Sequence, residues 1–177
     1  IKDKIKDDAK NTVKILKEYI NHIVMLTGDN ELVSKMVGNE IGINEIYSDN
    51  LPNQKVEVLK SLLDDNITAF VGDGINDAPV LALSDIGIAM GAMGSDAAIE
   101  AADVVIMDDS LSKIPLAIKQ SKKTMNIIVS NIILAIGIKL LVLLLSAFGF
   151  TSMWLAIFAD VGVSIICILN SIRLLTV

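Results

Sequence analysis

Two carboxylates, those of Asp73 and Asp77, lie four residues apart in the run Val71–Pro79, which reads VGDGINDAP. The apolar residues 67–70 before this run predict a buried strand, and the glycines predict a tight turn that leads into a helix. Both carboxylates would then lie near one strand end, within reach of one ion. Such hard oxygen ligands suit Mg²⁺, which keeps several waters and takes one or two protein carboxylates. Asn76 adds an amide that can donate to a phosphate oxygen.

A second predicted strand ends in a similar turn. The apolar run Ile23–Leu26 is followed by Thr27, Gly28 and Asp29. Ligands of an open parallel sheet collect at the carboxyl ends of its strands, so both turns would lie along one edge. We therefore expect one site built from two turns. The alternative is a pair of polar surface turns, which Asp, Asn and Gly commonly form.

Three motifs, MLTGDN at residues 25–30, PNQK at residues 52–55 and VGDGINDAP, together resemble the phosphorylation domain of P-type ATPases. These proteins are ion pumps of the haloacid-dehalogenase superfamily. The resemblance implies that Thr27, Gly28 and Asp29 belong to a phosphoryl and nucleotide site that uses ATP. The nucleophile of the family is an aspartate in a DKTGT motif, which does not occur in this sequence. The resemblance therefore implies a nucleophile in another part of the pump.

The same resemblance assigns four further residues. Lys55 would counter the charge of the phosphoryl group, Asp73 would bind Mg²⁺, and Asn76 and Asp77 would support that site. Lys55 follows Pro52 in the first turn of a predicted helix, from which its ammonium could reach the sheet edge as a point charge for phosphate. The alternative for Lys55 is an ordinary exposed helix lysine.

Composition divides the chain into two parts. Of 177 residues, 53% are hydrophobic, the net charge is −6 and the mean hydropathy is +0.60. After Met125 only Lys139, Asp160 and Arg173 are charged, so the first part carries −7 and the second +1. An acidic first part argues against nucleic acid as a partner. The single cysteine, Cys167, can form no internal disulfide, which fits a reducing compartment or the bilayer.

Alternating strands and helices predict an α/β fold in the first part. We expect a doubly wound parallel sheet with right-handed crossovers, incomplete because the chain starts within the pattern. By resemblance it is haloacid-dehalogenase-like. His22 lies at the start of a strand, far from its turn, and we expect no functional role for it. The predicted helices cover residues 1–17, 31–41, 51–63, 95–102 and 111–125, and the predicted strands cover residues 20–26, 44–47, 67–70, 86–90 and 104–107.

The second part predicts a transmembrane α-helical hairpin. Residues 126–148 and 152–175 are each of the length that spans a bilayer, about 20 residues, and Gly149–Ser152 is the break between them. We divide the chain into a phosphorylation-domain part (1–112), a connecting helix (113–125) and the hairpin (126–177). Lysines before the first span and Arg173 after the second predict that both outer ends are cytoplasmic.

Counting from the turn places two charges at one depth. If the turn centres on Phe150, Lys139 precedes it by 11 residues and Asp160 follows it by 10. At about 1.5 Å per residue both lie roughly 15 Å deep, near the middle of a hydrocarbon core of about 30 Å. Asn131 and Asn170 match in depth in the same way. Lys139 and Asp160 would form either a structural ion pair or part of an ion site.

A second resemblance concerns this hairpin. The lysine in the first span, the pattern W-x5-D-x-G formed by Trp154, Asp160 and Gly162, and N-x2-R-L-L at residues 170–175 resemble pumps that export zinc, cadmium and lead. The resemblance implies that Asp160 ligates the divalent ion and that Lys139 is its charge partner. A carboxylate also suits Zn²⁺ better than Cu⁺.

These inferences predict a piece of a heavy-metal P-type ATPase that exports Zn²⁺, Cd²⁺ or Pb²⁺ through an aspartyl phosphate. The piece alone would be inactive. Its partners would be the lipid bilayer and the rest of the pump: the DKTGT strand, the nucleotide-binding and actuator domains and the earlier transmembrane helices. We expect a multi-pass protein of the cell membrane with the α/β domain in the cytoplasm. Two alternatives are a membrane-anchored phosphohydrolase of the same superfamily and a catalytically inert remnant that acts as a binding module.

Overall fold

The computed structural model describes residues 5–63, 67–72, 75–91, 96–108, 110–150 and 152–175. The chain divides into two compact units, Ile1–Pro115 and Leu116–Val177. The predicted domain limits remain predictions. The strands are β1 (Val24–Leu26), β2 (Glu45–Tyr47), β3 (Ala69–Gly72), β4 (Ile86–Met90) and β5 (Val104–Ile106). The helices are α1 (Ala9–Leu16), α2 (Glu31–Ile41), α3 (Pro52–Leu63), a 3₁₀ turn (Ile75–Asp77), α4 (Ala78–Leu83), α5 (Asp96–Ala101), α6 (Lys113–Ala147), α7 (Met153–Ile157), a π-helical segment (Phe158–Gly162) and α8 (Val163–Ile172).

The first unit has the predicted parallel α/β character, but its described strands form two sheets where one was expected. β1 pairs with β2, and β3, β4 and β5 form the second sheet in that order; every pairing is parallel. β1 and β3 are therefore edge strands. The prediction that residues 67–70 form a buried strand is wrong for Ile67, which lies before β3 and is 87% exposed, and for Ala69, which is exposed within β3. Among the described residues β3 has a strand neighbour on one side only.

The core of the three-stranded sheet lies under α4. Leu81 of α4 packs with Ala89 of β4 and Ala98 of α5, and all three are buried. A Cβ atom at Gly87 would lie 2.7 Å from the carbonyl oxygen of Leu81, so glycine lets α4 approach the sheet. This contact holds α4, which begins directly after Asp77, against β4.

Helix α2 has the predicted bounds, residues 31–41. Asn30 caps its first turn by accepting a hydrogen bond from the backbone N–H of Val33, and Gly42 ends it with φ = 86°. Its apolar residues do not form the buried face, since Leu32 is 71% exposed and Met36 is 47% exposed. The buried positions are Ser34 and Gly38, which allow close packing against β2.

The second unit is a helical hairpin whose two arms are long and apolar enough to cross a membrane. α6 is continuous, so the predicted connecting helix and first span form one helix. The chain turns at Gly149, with φ = 78°. The N–H groups of Gly149 and Phe150 donate to the carbonyls of Ser146 and Leu145, which is the Schellman pattern of a helix end. The predicted break is confirmed.

Candidate functional site

The turn after β1 is held by Thr27 and Asp29. The Thr27 hydroxyl accepts a hydrogen bond from the backbone N–H of Asp29 at 3.1 Å and donates to Oδ2 of the same residue at 3.2 Å. The Asp29 side chain is exposed, whereas Thr27 is half-buried. A Cβ atom at Gly28 would lie 3.3 Å from the carbonyl oxygen of Asn50, so the turn packs closely on the chain that precedes α3. The carboxylate of Asp29 is thereby presented at the carboxyl end of β1.

Two residues that the sequence reasoning missed, Asp49 and Asn50, fix this turn from the other side. Their backbone N–H groups donate to the carbonyls of Asp29 and Thr27 at 2.8 and 3.1 Å. Oδ2 of Asp49 also accepts from the N–H of Glu31 at the start of α2, at 3.1 Å. Asp49 has φ = 55°. Asp tolerates this left-handed conformation better than most residues do. The presence of Asp at position 49 was therefore the sequence feature that could have indicated this turn.

A contact between Lys55 and Asp77 joins α3 to the three-stranded sheet. Nζ of Lys55, on the first turn of α3, lies 2.8 Å from Oδ1 of Asp77, and their side chains are only 15% and 14% exposed. A Cβ atom at Gly72 would lie 2.9 Å from Cβ of Asp77. The carboxylate therefore rests directly on the end of β3. The structure thus links the elements after β2 and β3 through one charged contact.

The predicted Mg²⁺ ligands are only partly within the described chain. Asp73 and Gly74 lie outside the described residues, and Asn76 is exposed. Among the described residues, no group of three His, Cys, Asp or Glu side chains is arranged to hold a metal ion. Asp77 supplies a hard carboxylate of the kind that Mg²⁺ prefers, but Oδ1 is engaged by Lys55. The carboxylate chemistry of Asp77 fits Mg²⁺.

The other charged site lies in the hairpin. Nζ of Lys139 is 2.9 Å from Oδ1 of Asp160, so the partnership predicted from residue counting is present. Asp160 lies within the π-helical segment, where the N–H of Val163 donates to the carbonyl of Phe158. Such segments occur frequently at functional sites. Ser164 Oγ donates to the backbone carbonyl of Asp160 at 2.7 Å.

Gly162 shapes the π-helical segment. A Cβ atom at Gly162 would lie 2.6 Å from Cδ2 of Phe158, within the ring's contact distance. Glycine therefore lets the Phe158 ring lie across the backbone next to Asp160. Trp154, the first residue of the pattern that predicted this site, has a side chain that is 81% exposed.

Comparisons with known proteins agree with this arrangement. A family model described as haloacid dehalogenase-like hydrolase matches residues 1–85. The chain is 49% identical over 98% of its length to a zinc-transporting ATPase of Synechocystis sp.. It is 47% identical over 99% of its length to a cadmium, zinc and cobalt-transporting ATPase of Bacillus subtilis. It spans about a quarter of the length of each, 25% and 26%.

Solved structures give the same result. A crystal structure of a zinc-transporting PIB-type ATPase matches 98% of the chain with a TM-score of 0.91 and 35% sequence identity. The match covers 28% of that protein. A second crystal structure of a zinc-transporting PIB-type ATPase, in another state, gives a TM-score of 0.90. The α/β unit and the apolar hairpin together therefore belong to the P-type ATPase family, in the branch that contains zinc- and cadmium-transporting ATPases.

Proposed function

We propose that the chain is part of an ATP-driven exporter of divalent heavy-metal cations that works through an aspartyl-phosphate intermediate. Zn²⁺ and Cd²⁺ are the cargo named for its relatives, and Pb²⁺ is a further candidate. The observation that carries the proposal is the 2.9 Å contact between Lys139 and Asp160, on two helices that are long and apolar enough to span a bilayer. An ionisable pair in such a place is costly and is typical of a transport pathway.

Asp160 is the proposed ligand of the transported ion. When the ion is bound, the carboxylate would coordinate it, and the ammonium of Lys139 would be displaced. When the ion leaves, Lys139 would neutralise Asp160 in its place. The 2.9 Å separation supports this exchange, because no large movement is needed to re-form the pair. The metal is the substrate of this site, and its remaining ligands would come from other spans.

The first unit supplies the phosphoryl chemistry of the proposal. In the full pump the aspartate nucleophile would attack the γ-phosphorus of ATP, and ADP would leave. The Lys55 ammonium would stabilise charge on the transferring group, and Asp77 would hold that ammonium in place. Thr27, Gly28 and Asp29 would line the same site, with Asn76 donating to a phosphate oxygen.

Mg²⁺ would neutralise charge on the phosphate oxygens when bound. We propose Asp73 and Asp77 as its protein ligands. The support is chemical, since Mg²⁺ uses one or two carboxylates together with phosphate oxygens and waters. Asp77 would also orient Lys55, whose ammonium lies 2.8 Å from its Oδ1.

The open edges of β1 and β3 support a missing partner strand. Both strands end in a candidate turn, and neither has a neighbour on its other side among the described residues. A DKTGT strand placed between them would bring the nucleophile next to Asp29 and Lys55. We propose the rest of the pump, including the nucleotide-binding and actuator domains, as the partner of this chain. The α/β unit and both ends of the hairpin would lie on the cytoplasmic side.

Transport by the full-length protein tests this proposal. Inside-out vesicles that contain it should take up Zn²⁺ or Cd²⁺ only with ATP, and vanadate should block both uptake and hydrolysis. Hydrolysis that is vanadate-sensitive but indifferent to Zn²⁺ and Cd²⁺ would favour the membrane-anchored phosphohydrolase. Absence of any acid-stable phosphoenzyme would favour the inert binding module.

A further inference from the structure

A second polar cluster joins the arms of the hairpin. Nδ2 of Asn170 donates to Oδ1 of Asn131 at 2.8 Å. Nδ2 of Asn131 in turn donates to the carbonyl of Cys167 at 3.2 Å and to Oγ of Ser171 at 3.0 Å. These four residues, which we call the asparagine latch, are partly buried in a hairpin whose other side chains are mostly exposed.

The latch has the properties of a fixed crosslink and not of an ion site. Both polar atoms of the Asn131 amide are engaged across the hairpin, and Nη1 of Arg173 donates to Oδ1 of Asn170 at 3.1 Å. An ion could bind there only by breaking these hydrogen bonds. In hydrocarbon such cross-helix hydrogen bonds favour one alignment of the two helices by about threefold to about thirtyfold.

The latch and the ion pair are separated by a similar number of residues on the two arms of the hairpin. Asn131 precedes Lys139 by 8 residues on α6, and Asn170 follows Asp160 by 10 residues on the other arm. Straight α-helices would give separations of about 12 Å and about 15 Å. The π-helical segment takes up extra residues in its wider turns. The distance along the helix from Asp160 to Asn170 is therefore shorter than in a straight α-helix. Both cross-helix contacts can therefore form together.

We propose that Asn131 is a positioning residue whose latch with Asn170 fixes the register at which Lys139 meets Asp160. The alignment itself does not depend on the proposed function. Its consequence for metal handling rests on that function. Loss of the latch would leave both charges present but would let them slide past each other along the hairpin.

Cysteine cross-linking in the full-length protein in membranes measures the register directly. The test protein carries Lys139→Cys and Asp160→Cys with Cys167→Ser. The ion pair is thereby removed, and the latch must hold the alignment. Iodine oxidation should cross-link positions 139 and 160 efficiently. Adding Asn131→Leu should lower the initial rate of cross-linking by about threefold to about thirtyfold. Cross-linking to a cysteine placed at position 156 or 164 should then appear.

Matched variants separate the possible outcomes. Ser130→Leu makes the same kind of polar-to-leucine change at an exposed neighbouring position and should leave the rate unchanged. Asn170→Leu should reproduce the effect and replaces Asn131→Leu if that variant fails to insert. An unchanged rate in both asparagine variants would overturn the proposal. Cross-linking needs neither ATP nor metal, so that result would leave the transport function standing. Metal-stimulated hydrolysis is measured separately, in full-length protein that keeps Lys139 and Asp160, and its absence there together with normal cross-linking would count against the transport function alone.

Discussion

Lys55 and Asp77 form a contact of 2.8 Å between α3 and the turn that follows β3. The two residues lie 22 positions apart in sequence, and each is mostly buried. Because the Lys55 ammonium is held by a carboxylate at the sheet edge, its position is fixed before any phosphate arrives. This preorganisation is the physical basis of the role proposed for it.

Replacing Lys55 with Gln in the full-length protein should reduce phosphoenzyme formation from ATP by at least about 100-fold, because a fixed positive charge is lost at the phosphoryl group. Acid-stable labelling with radioactive ATP measures the effect. Lys60→Gln is the matched control, since Lys60 is an exposed lysine on the same helix. Equal labelling in the two variants would mean that Lys55 is an ordinary helix lysine.

Replacing Gly72 with Ala should have a similar effect without changing any charge. The new Cβ atom would lie 2.9 Å from Cβ of Asp77 and 2.9 Å from Cε1 of Phe70, so Asp77 must move away from Lys55. We expect a loss of phosphoenzyme of about tenfold or more. Gly137→Ala is the control, because nothing lies within 4 Å of a Cβ atom there. Normal labelling of Gly72→Ala would show that the position of Asp77 does not matter.

Replacing Asp49 with Ala should weaken ATP binding. The change removes the acceptor for the Glu31 N–H and places Ala at φ = 55°, which costs about 1–2 kcal/mol. The apparent KM for ATP should rise as the turn at Thr27 and Asp29 loosens. Asp49→Asn keeps an acceptor and tolerates the conformation, so it should stay near the wild-type value. If the apparent KM for ATP is the same in both variants, Asp49 does not influence the nucleotide site.

Replacing Gly162 with Ala should impair metal-stimulated hydrolysis, since the added methyl group would overlap the Phe158 ring beside Asp160. Truncating that ring with Phe158→Ala in the same protein should restore part of the activity. Zn²⁺-stimulated ATP hydrolysis is the measurement, and Gly137→Ala again serves as control. If the double variant is no better than Gly162→Ala, the packing of Gly162 on Phe158 is not what positions Asp160.

The sequence predicted elements that depend on local chemistry. Helix α2 and strand β4 have the predicted limits, residues 31–41 and residues 86–90. The contact between Lys139 and Asp160 could be predicted because a hairpin with one turn makes depth a matter of counting residues. The same count predicted that Asn131 and Asn170 match in depth, and the structure joins them by a hydrogen bond.

Features that depend on tertiary contacts were missed. The described strands separate into two sheets with β1 and β3 at their edges, which the alternation of strands and helices along the sequence does not reveal. The buried face of α2 uses Ser34 and Gly38, because close approach to β2 outweighs apolar spacing. The π-helical segment is also invisible in the sequence, since its residues fit an ordinary α-helix equally well.

Exchanging the charges of the hairpin tests the central claim most directly. The double variant Lys139→Asp/Asp160→Lys retains an ion pair at the same depth but moves the carboxylate to the other helix. If Asp160 ligates the transported ion, Zn²⁺-stimulated ATP hydrolysis by the full-length protein should fall to the unstimulated level in the double variant, as it should in Asp160→Asn. Zn²⁺ stimulation that survives the exchange while Asp160→Asn abolishes it would show that the pair is only structural and would contradict the account.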